Sequence, residues 1–266
     1  MATVEISILM GIYNCEKTLG EAIDSILAQS FTDWELIMCD DGSTDQTYSV
    51  AEAYRRKFPE KIVLLKNSKN QGLNQTLNNC LKVARGRYIA RMDGDDISLP
   101  LRLEKEYQFL ESHPEYAIVS CPMIYFDENG EFRRGVGRGE PNPKNLVLGT
   151  IHPHAPCMVR RQAYMAVGGY TETKSRIRVE DWDLWIKMYG NGFRGYNLEK
   201  PLYKMRDDRS AYRRRKFKYR INEARVGASA VRKLRLSPIR YVFCLRPILV
   251  GLLPGFIYEV LHKTRR

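Results

Sequence analysis

An α/β fold, with a mostly parallel central sheet flanked by helices and a basic, largely helical C-terminal extension, is the architecture this 266-residue chain predicts. Three observations predict it. Strand-sized apolar runs alternate with helix-sized amphipathic runs, the pattern of repeated β-α units. Polar clusters fall where the apolar runs end, as expected of a sheet whose ligand crevice lies beyond the carboxyl ends of its strands. Charge is divided along the chain: residues 1–203 hold 25 Lys+Arg and 27 Asp+Glu, whereas residues 204–266 hold 18 and 4.

The elements follow in order. "VEISILM" reads as a first strand, and "EKTLGEAIDSILAQ" places Leu19, Ile23, Ile26 and Leu27 on one helical face. "WELIMCD" is a second strand; after it Ser43 or Thr44 is expected to cap a helix carrying Tyr48, Ala51 and Tyr54 on one side. "KIVLLKN" gives a third strand, "LNQTLNNCLKVA" a helix, and "RYIARMD" a fourth strand. Tyr13 and Asn14 follow the first strand, Asp40 and Asp41 close the second, and Asp93 with Asp95 closes the fourth, so all three clusters are expected along one rim.

Composition excludes several classes. With 44% hydrophobic and 28% charged residues the chain is globular. The six cysteines are scattered, with no CxxC or Cys/His spacing, which points to reduced thiols rather than to zinc or a disulfide framework. The opening "MATVEISILM" runs directly into strand-like sequence, with no secretory signal visible. Dinucleotide binding would place GxGxxG after the first strand, where "GIYNCEKTLG" stands instead.

The segment "MDGDD" is the most informative. Asp93, Asp95 and Asp96 repel one another, and an Asp/Gly turn accounts for one or two of them, not three at the end of an apolar strand. Hard oxygen ligands of this kind select Mg²⁺ or Mn²⁺, which keep waters and share their coordination with substrate phosphates, so a nucleoside diphosphate is the natural co-ligand. The spacing is not that of an EF-hand. "CDDGSTD" is compatible with a turn and cap as well as with a site.

Several spaced segments together carry a resemblance. "SILMGIYNCEKTLGEAIDSILAQSFTDWELIMCDDGSTDQT", "NQGLNQTLNNCLKVARGRYIARMDGDDISLPLRLEKE", "GGY" and "VEDWDLW" occur in this order, and over roughly residues 4–206 the chain resembles the family 2 glycosyltransferases of GT-A, Rossmann-like fold. The resemblance implies an inverting, metal-dependent transfer from a nucleotide-sugar donor, UDP-linked in many relatives, to a saccharide hydroxyl. It implies that Tyr13 packs on the base, Asp41 meets the uracil ring nitrogen, Asp93 contacts the ribose and Asp95 ligates Mn²⁺ or Mg²⁺. Asp181 is implied as the general base, with Glu180 orienting the acceptor or Asp181; the bland alternative is that the acids of "VEDWD" only complement a helix dipole.

His154 and Trp182 are candidate acceptor contacts, although a lone His is more often structural and aromatic residues at helical spacing more often form core. Many relatives carry a histidine two residues beyond the arginine of "YKMRD"; Asp208 stands there, and Arg213, Arg214 and Arg215 are expected to supply phosphate contacts instead.

The organisation expected is a catalytic domain over 1–206 and a basic amphipathic extension over 207–266. A basic tail suits nucleic acid, an anionic membrane or a phosphorylated substrate equally on charge alone. A nucleic-acid-binding protein is the rival reading, but strand-end carboxylates would repel a polyanion, so no nucleic-acid partner is expected. The run Ile248–Phe256 is nine residues long and contains Pro254, whereas a span needs about 20. The expectation is therefore a cytoplasmic protein, peripheral at the inner face of the membrane, acting on acceptors carried by a lipid diphosphate. A homodimer contact is the competing use of the apolar tail residues.

Overall fold

The computed structural model describes residues 4–207 and 216–252. β1 (Ile6–Ile12), α1 (Leu19–Leu27), β2 (Trp34–Asp40), α2 (Thr47–Lys57), β3 (Ile62–Lys66), α3 (Leu73–Val83) and β4 (Tyr88–Arg91) form the successive β-α units. β5 (Ile97–Ser98), α4 (Arg102–Ser112), β6 (Ile118–Ser120), β7 (Met123–Asp127), β8 (Gly130–Arg134), β9 (Met158–Arg160) and α5 (Arg161–Val167) come next. α6 (Glu180–Gly190), β10 (Gly195–Asn197), β11 (Tyr203–Arg206), α7 (Phe217–Lys233) and α8 (Arg246–Leu252) complete the described elements.

The larger sheet described has the order β10-β6-β9-β4-β1-β2-β3. β1, β2, β3 and β4 run parallel, as do β6 and β10, while β9 is antiparallel to both β4 and β6. The carboxyl ends of β1, β2, β4, β6 and β10 consequently share one edge. All seven residues of β2 are buried because helices cover both faces, the condition under which a strand becomes a nearly continuous apolar run.

Alternation along the strands divides the core in two. Ile8, Met10, Leu36 and Met38 point to the side of α1, α2 and α4, packing with Ile23, Ile26, Ala51 and Leu103. Leu9, Ile37 and Ile89 point to the other side, packing with Leu77 of α3, Trp185 of α6, and Val226 and Ala230 of α7. α7 thus shares a core with the β-α units although its surface is basic.

The α/β expectation holds, with differences. Neither Ser43 nor Thr44 caps α2, which starts at Thr47 with Asp45 Oδ1 accepting the Thr47 N–H at 3.0 Å; Ser43 instead accepts from the N–H of Asn14 at 3.1 Å. A second sheet of order β5-β11-β7-β8 stands beside the first. It brings β11, from the far end of the catalytic sequence, against the turn that follows β4.

Candidate active site

The site is assembled on the carboxyl edge where β1 and β4 end. Asn14 accepts left-handed backbone geometry at φ 47°, which turns the chain out of β1. Its side-chain oxygen accepts from Thr44 N–H at 2.9 Å, while Cys15 N–H donates to Thr47 Oγ1 at 2.7 Å and Glu16 N–H to Asp45 at 3.2 Å. Thr18 Oγ1 donates to the Gly94 carbonyl at 3.2 Å. A Cβ on Gly94 would lie 3.1 Å from both Cys15 Sγ and Ile12 Cγ2, so glycine between the two aspartates lets the β1 loop approach this closely. The result is a cleft of about 450 Å³ lined by Tyr13, Lys17, Asp93, Gly94, Asp95 and Arg206, among others. Tyr13, 48% exposed, offers its ring to that space.

The acids of "DGDD" have distinct surroundings. Both oxygens of Asp93 are gripped by Arg91, at 2.7 and 2.5 Å, a bidentate pair anchored on a guanidinium that is almost wholly buried. Asp95 exposes its carboxylate at the cleft; desolvation, then repulsion by Asp93, raises its pKa above the usual range. Asp96 is buried: Oδ1 accepts from Arg206 N–H at 2.8 Å, and Oδ2 has no hydrogen-bond partner. Burial, then Asp93 and Asp95, push its pKa up to about 8. Arg206 also donates to the Asp95 carbonyl at 3.0 Å and to Glu21 at 2.6 Å, closing one wall of the cleft.

The donor set has the chemistry of a site for a hard divalent cation. It contains oxygen only, with one exposed carboxyl group and, beside it, a buried one whose Oδ2 has no hydrogen-bond partner. Among the described residues no group of three or more His, Cys, Asp and Glu could hold a metal by itself. The residues therefore fit a cation that completes its shell with substrate phosphate and water.

The acids of "VEDWD" separate by role. Asp183 is buried and structural: it accepts from Thr171 Oγ1 at 2.6 Å and Arg176 Nε at 2.7 Å, stapling the preceding loop to α6. Asp181 sits on the first turn, where its Oδ1 accepts the Trp182 N–H at 2.7 Å. Glu180 is half-buried, and its pKa is raised by desolvation, then by Asp181, with Arg91 and Arg178 pulling the other way. That attraction brings the start of α6 within electrostatic reach of the guanidinium that grips Asp93. Asn222 of α7 donates to the carbonyls of Lys174 at 3.3 Å and Ile177 at 3.1 Å, bracing the loop that enters α6.

Other expected contacts are placed differently. Asp41 does not line the cleft: its oxygens accept from Asn67 Nδ2, Gln71 N–H and Gly72 N–H, each at 2.8 Å, so it braces the β3–α3 loop. Trp182 is 6% exposed with Nε1 donating to the Leu146 carbonyl at 2.6 Å, and Trp185 is wholly buried, so neither ring has a face for a sugar. His154 is 9% exposed and bonds Tyr170 Oη at 2.8 Å; burial, then Arg91, holds its pKa well below the usual value, and it packs as a neutral ring behind the site. Gly168 and Gly169 both take positive φ, and the second passes so close to Asn78 that a Cβ would sit 2.6 Å from its oxygen: the approach is to α3. Asp208, Arg213, Arg214 and Arg215 lie outside the described residues.

Arg91 and Arg206 are absent from the residues expected at the site. For Arg91 a signal existed, a basic residue inside an otherwise apolar strand two positions before an acid. Nothing local in the sequence points Arg206 at residues 95 and 96.

The β-α order, the mixed sheet and an acidic turn on its carboxyl edge define a GT-A type of fold, and known proteins bear this out. The profile described as Glycosyl transferase family 2 matches residues 7–169. A Bacillus subtilis (strain 168) protein named as glycosyltransferase EpsE is 43% identical over 261 residues, covering 98% of this chain and 94% of the relative. A UDP-Gal:alpha-D-GlcNAc-diphosphoundecaprenol beta-1,3-galactosyltransferase of Escherichia coli is 29% identical, covering 97% and 96%. The crystal structure of S. aureus TarS 1-349 in complex with UDP-GlcNAc aligns with TM-score 0.70 at 19% identity, covering 93% of this chain and 71% of that one. The chain belongs to glycosyltransferase family 2 and is a glycosyltransferase.

Proposed function

We propose that this enzyme moves a sugar from a UDP-sugar to a hydroxyl of a saccharide carried on a lipid diphosphate, with inversion, in the synthesis of a bacterial surface polysaccharide. The observation that carries the reading is one cleft that joins an exposed tyrosine to an acidic turn, with Arg91, behind that turn, in electrostatic reach of Glu180 at the start of α6. Tyr13 packs on the base, Asp93 meets the ribose from its seat on Arg91, and Asp95 would hold Mn²⁺ or Mg²⁺. Such a cation, when bound, stabilises charge growing on the departing diphosphate. Asp181 receives the proton of the attacking hydroxyl, and Glu180, its pKa raised by burial and then by Asp181, orients acceptor or base. Asp41 acts one step back, fixing the loop beside the base. Residues 1–206 carry the chemistry, and residues 207–266 hold the enzyme to its acceptor at the inner face of the membrane. The galactosyltransferase relative, whose name contains a UDP-sugar and a diphosphoundecaprenol acceptor, supports donor and carrier alike.

A paired experiment tests the assignment. Asp95→Asn is expected to abolish Mn²⁺-dependent UDP binding by calorimetry with the fold intact. Asp181→Asn is expected to keep that binding and slow transfer by roughly 10²- to 10⁴-fold. Unchanged metal-dependent affinity in the first, near-native transfer in the second, or a product that keeps the donor's anomeric configuration would each overturn the corresponding role.

A further inference from the structure

The segment after α7 carries an apolar stripe left exposed among the described residues. Residues Pro238–Leu245 form a 3-10 helix that continues into α8. With three residues per turn, Ile239, Val242 and Leu245 stand in one row, and Leu249 and Leu252 extend it along α8. All five are more than half exposed. The segment is anchored at Cys244, which is buried, its Sγ lying 3.3 Å from where a Cβ on Gly227 would stand. At the far end, a Cβ on Gly251 would come within 3.0 Å of Phe217 and Arg220, so α8 lies tight on α7 and the outward direction of the stripe is fixed. A second row holds Arg240, exposed Phe243 and Arg246.

We propose that this stripe is a docking face for an anionic bilayer, on which the enzyme lies without crossing it. Charge selects the occupant: residues 216–252 contain nine Lys+Arg (216, 218, 220, 225, 232, 233, 235, 240 and 246) and one acid, Glu223. Apolar residues entering the headgroup boundary beside cations that meet lipid phosphates are the two components of interfacial binding. A continuous apolar row left to water is unusual on a monomer. Among the described residues no helix is long and apolar enough to cross a membrane. The inference extends the proposed function by giving the lipid-borne acceptor a landing surface joined, through Asn222, to the loop entering α6; it is read without any measurement of activity.

Flotation of the full chain with phosphatidylglycerol/phosphatidylcholine vesicles, with size-exclusion light scattering alongside, decides it. Binding is expected at low salt, weakened by salt and absent from phosphatidylcholine alone. Val242→Glu and Leu249→Glu, at exposed positions, should each reduce it at least about tenfold with unchanged circular dichroism, and Arg240→Glu with Arg246→Glu should act in the same direction. Three results overturn the proposal: a full chain that does not float at low salt, variants that float like the parent, or a dimer that Leu249→Glu splits while vesicle binding is absent, which would make the stripe a contact between copies.

Discussion

Trp182 lies between two readings that residue identity alone cannot separate. An aromatic ring on the first turn of a helix beside catalytic acids can stack on a sugar or fill the core, and at i, i+3 spacing both rings of the "DWDLW" stretch look alike in either case. Burial and the hydrogen bond to Leu146 decide for the core. Trp182→Ala is therefore expected to cost about 3–5 kcal/mol in denaturant unfolding. The acceptor KM, measured where the variant is still folded, should be unaltered; a selective rise would return the ring to the acceptor site. At this scale the acids were the legible residues, because three carboxylates at a strand end have no reason in folding. Their cationic partners were not, since Arg206 reaches Asp96 across 110 positions and leaves no periodic trace.

Elements were legible where their period was strong. The first four strands and three helices emerge from alternation and helical spacing, because each buries a full face. β5, β7, β8 and β11 span two to five residues and mix polar with apolar side chains, too short for a period to register. The antiparallel β9 is hidden too, since direction is a property of pairing. α7 was legible as basic but not as a brace, because its grip on the α6 entry rests on one amide. Asn222→Ala removes two hydrogen bonds and should lower stability by about 1–2 kcal/mol. Hydrogen exchange over residues 174–180 should quicken, and turnover should fall several-fold with donor affinity retained. Equal exchange and turnover in the two proteins would show that the loop holds itself.

The whole molecule registers pH through its buried acids. Glu106 is completely enclosed next to Arg102, at 3.3 Å, and the loss of hydration outweighs the guanidinium's attraction, so its pKa is pushed up to about 7. The folded protein keeps that proton up to about pH 7, whereas the unfolded chain releases it near 4.5. The stability it contributes is complete below pH 4.5 and is lost as pH climbs through 7. Asp96, displaced in the same direction, adds to the slope. Melting temperature without added metal should fall between pH 6.5 and 8, above the range in which the buried His152 and His154, whose pKa values are lowered by desolvation, contribute the opposite slope. Glu106→Gln, a mimic of the protonated acid, should flatten that fall and be at least as stable as the parent at pH 8. A parent that gains stability over this interval would reverse the sign and refute the account.

Arg206 also sets where this protein can be cut. The family match ends at residue 169, which suggests a portable unit. Yet one wall of the cleft, including the backbone N–H that holds Asp96 and the guanidinium that spans Asp95 and Glu21, arrives on β11. Any graft or fragment that stops at the matched boundary would keep the acids of the β4 turn but lose Glu180, Asp181 and Arg206, and would leave its cleft open on one side.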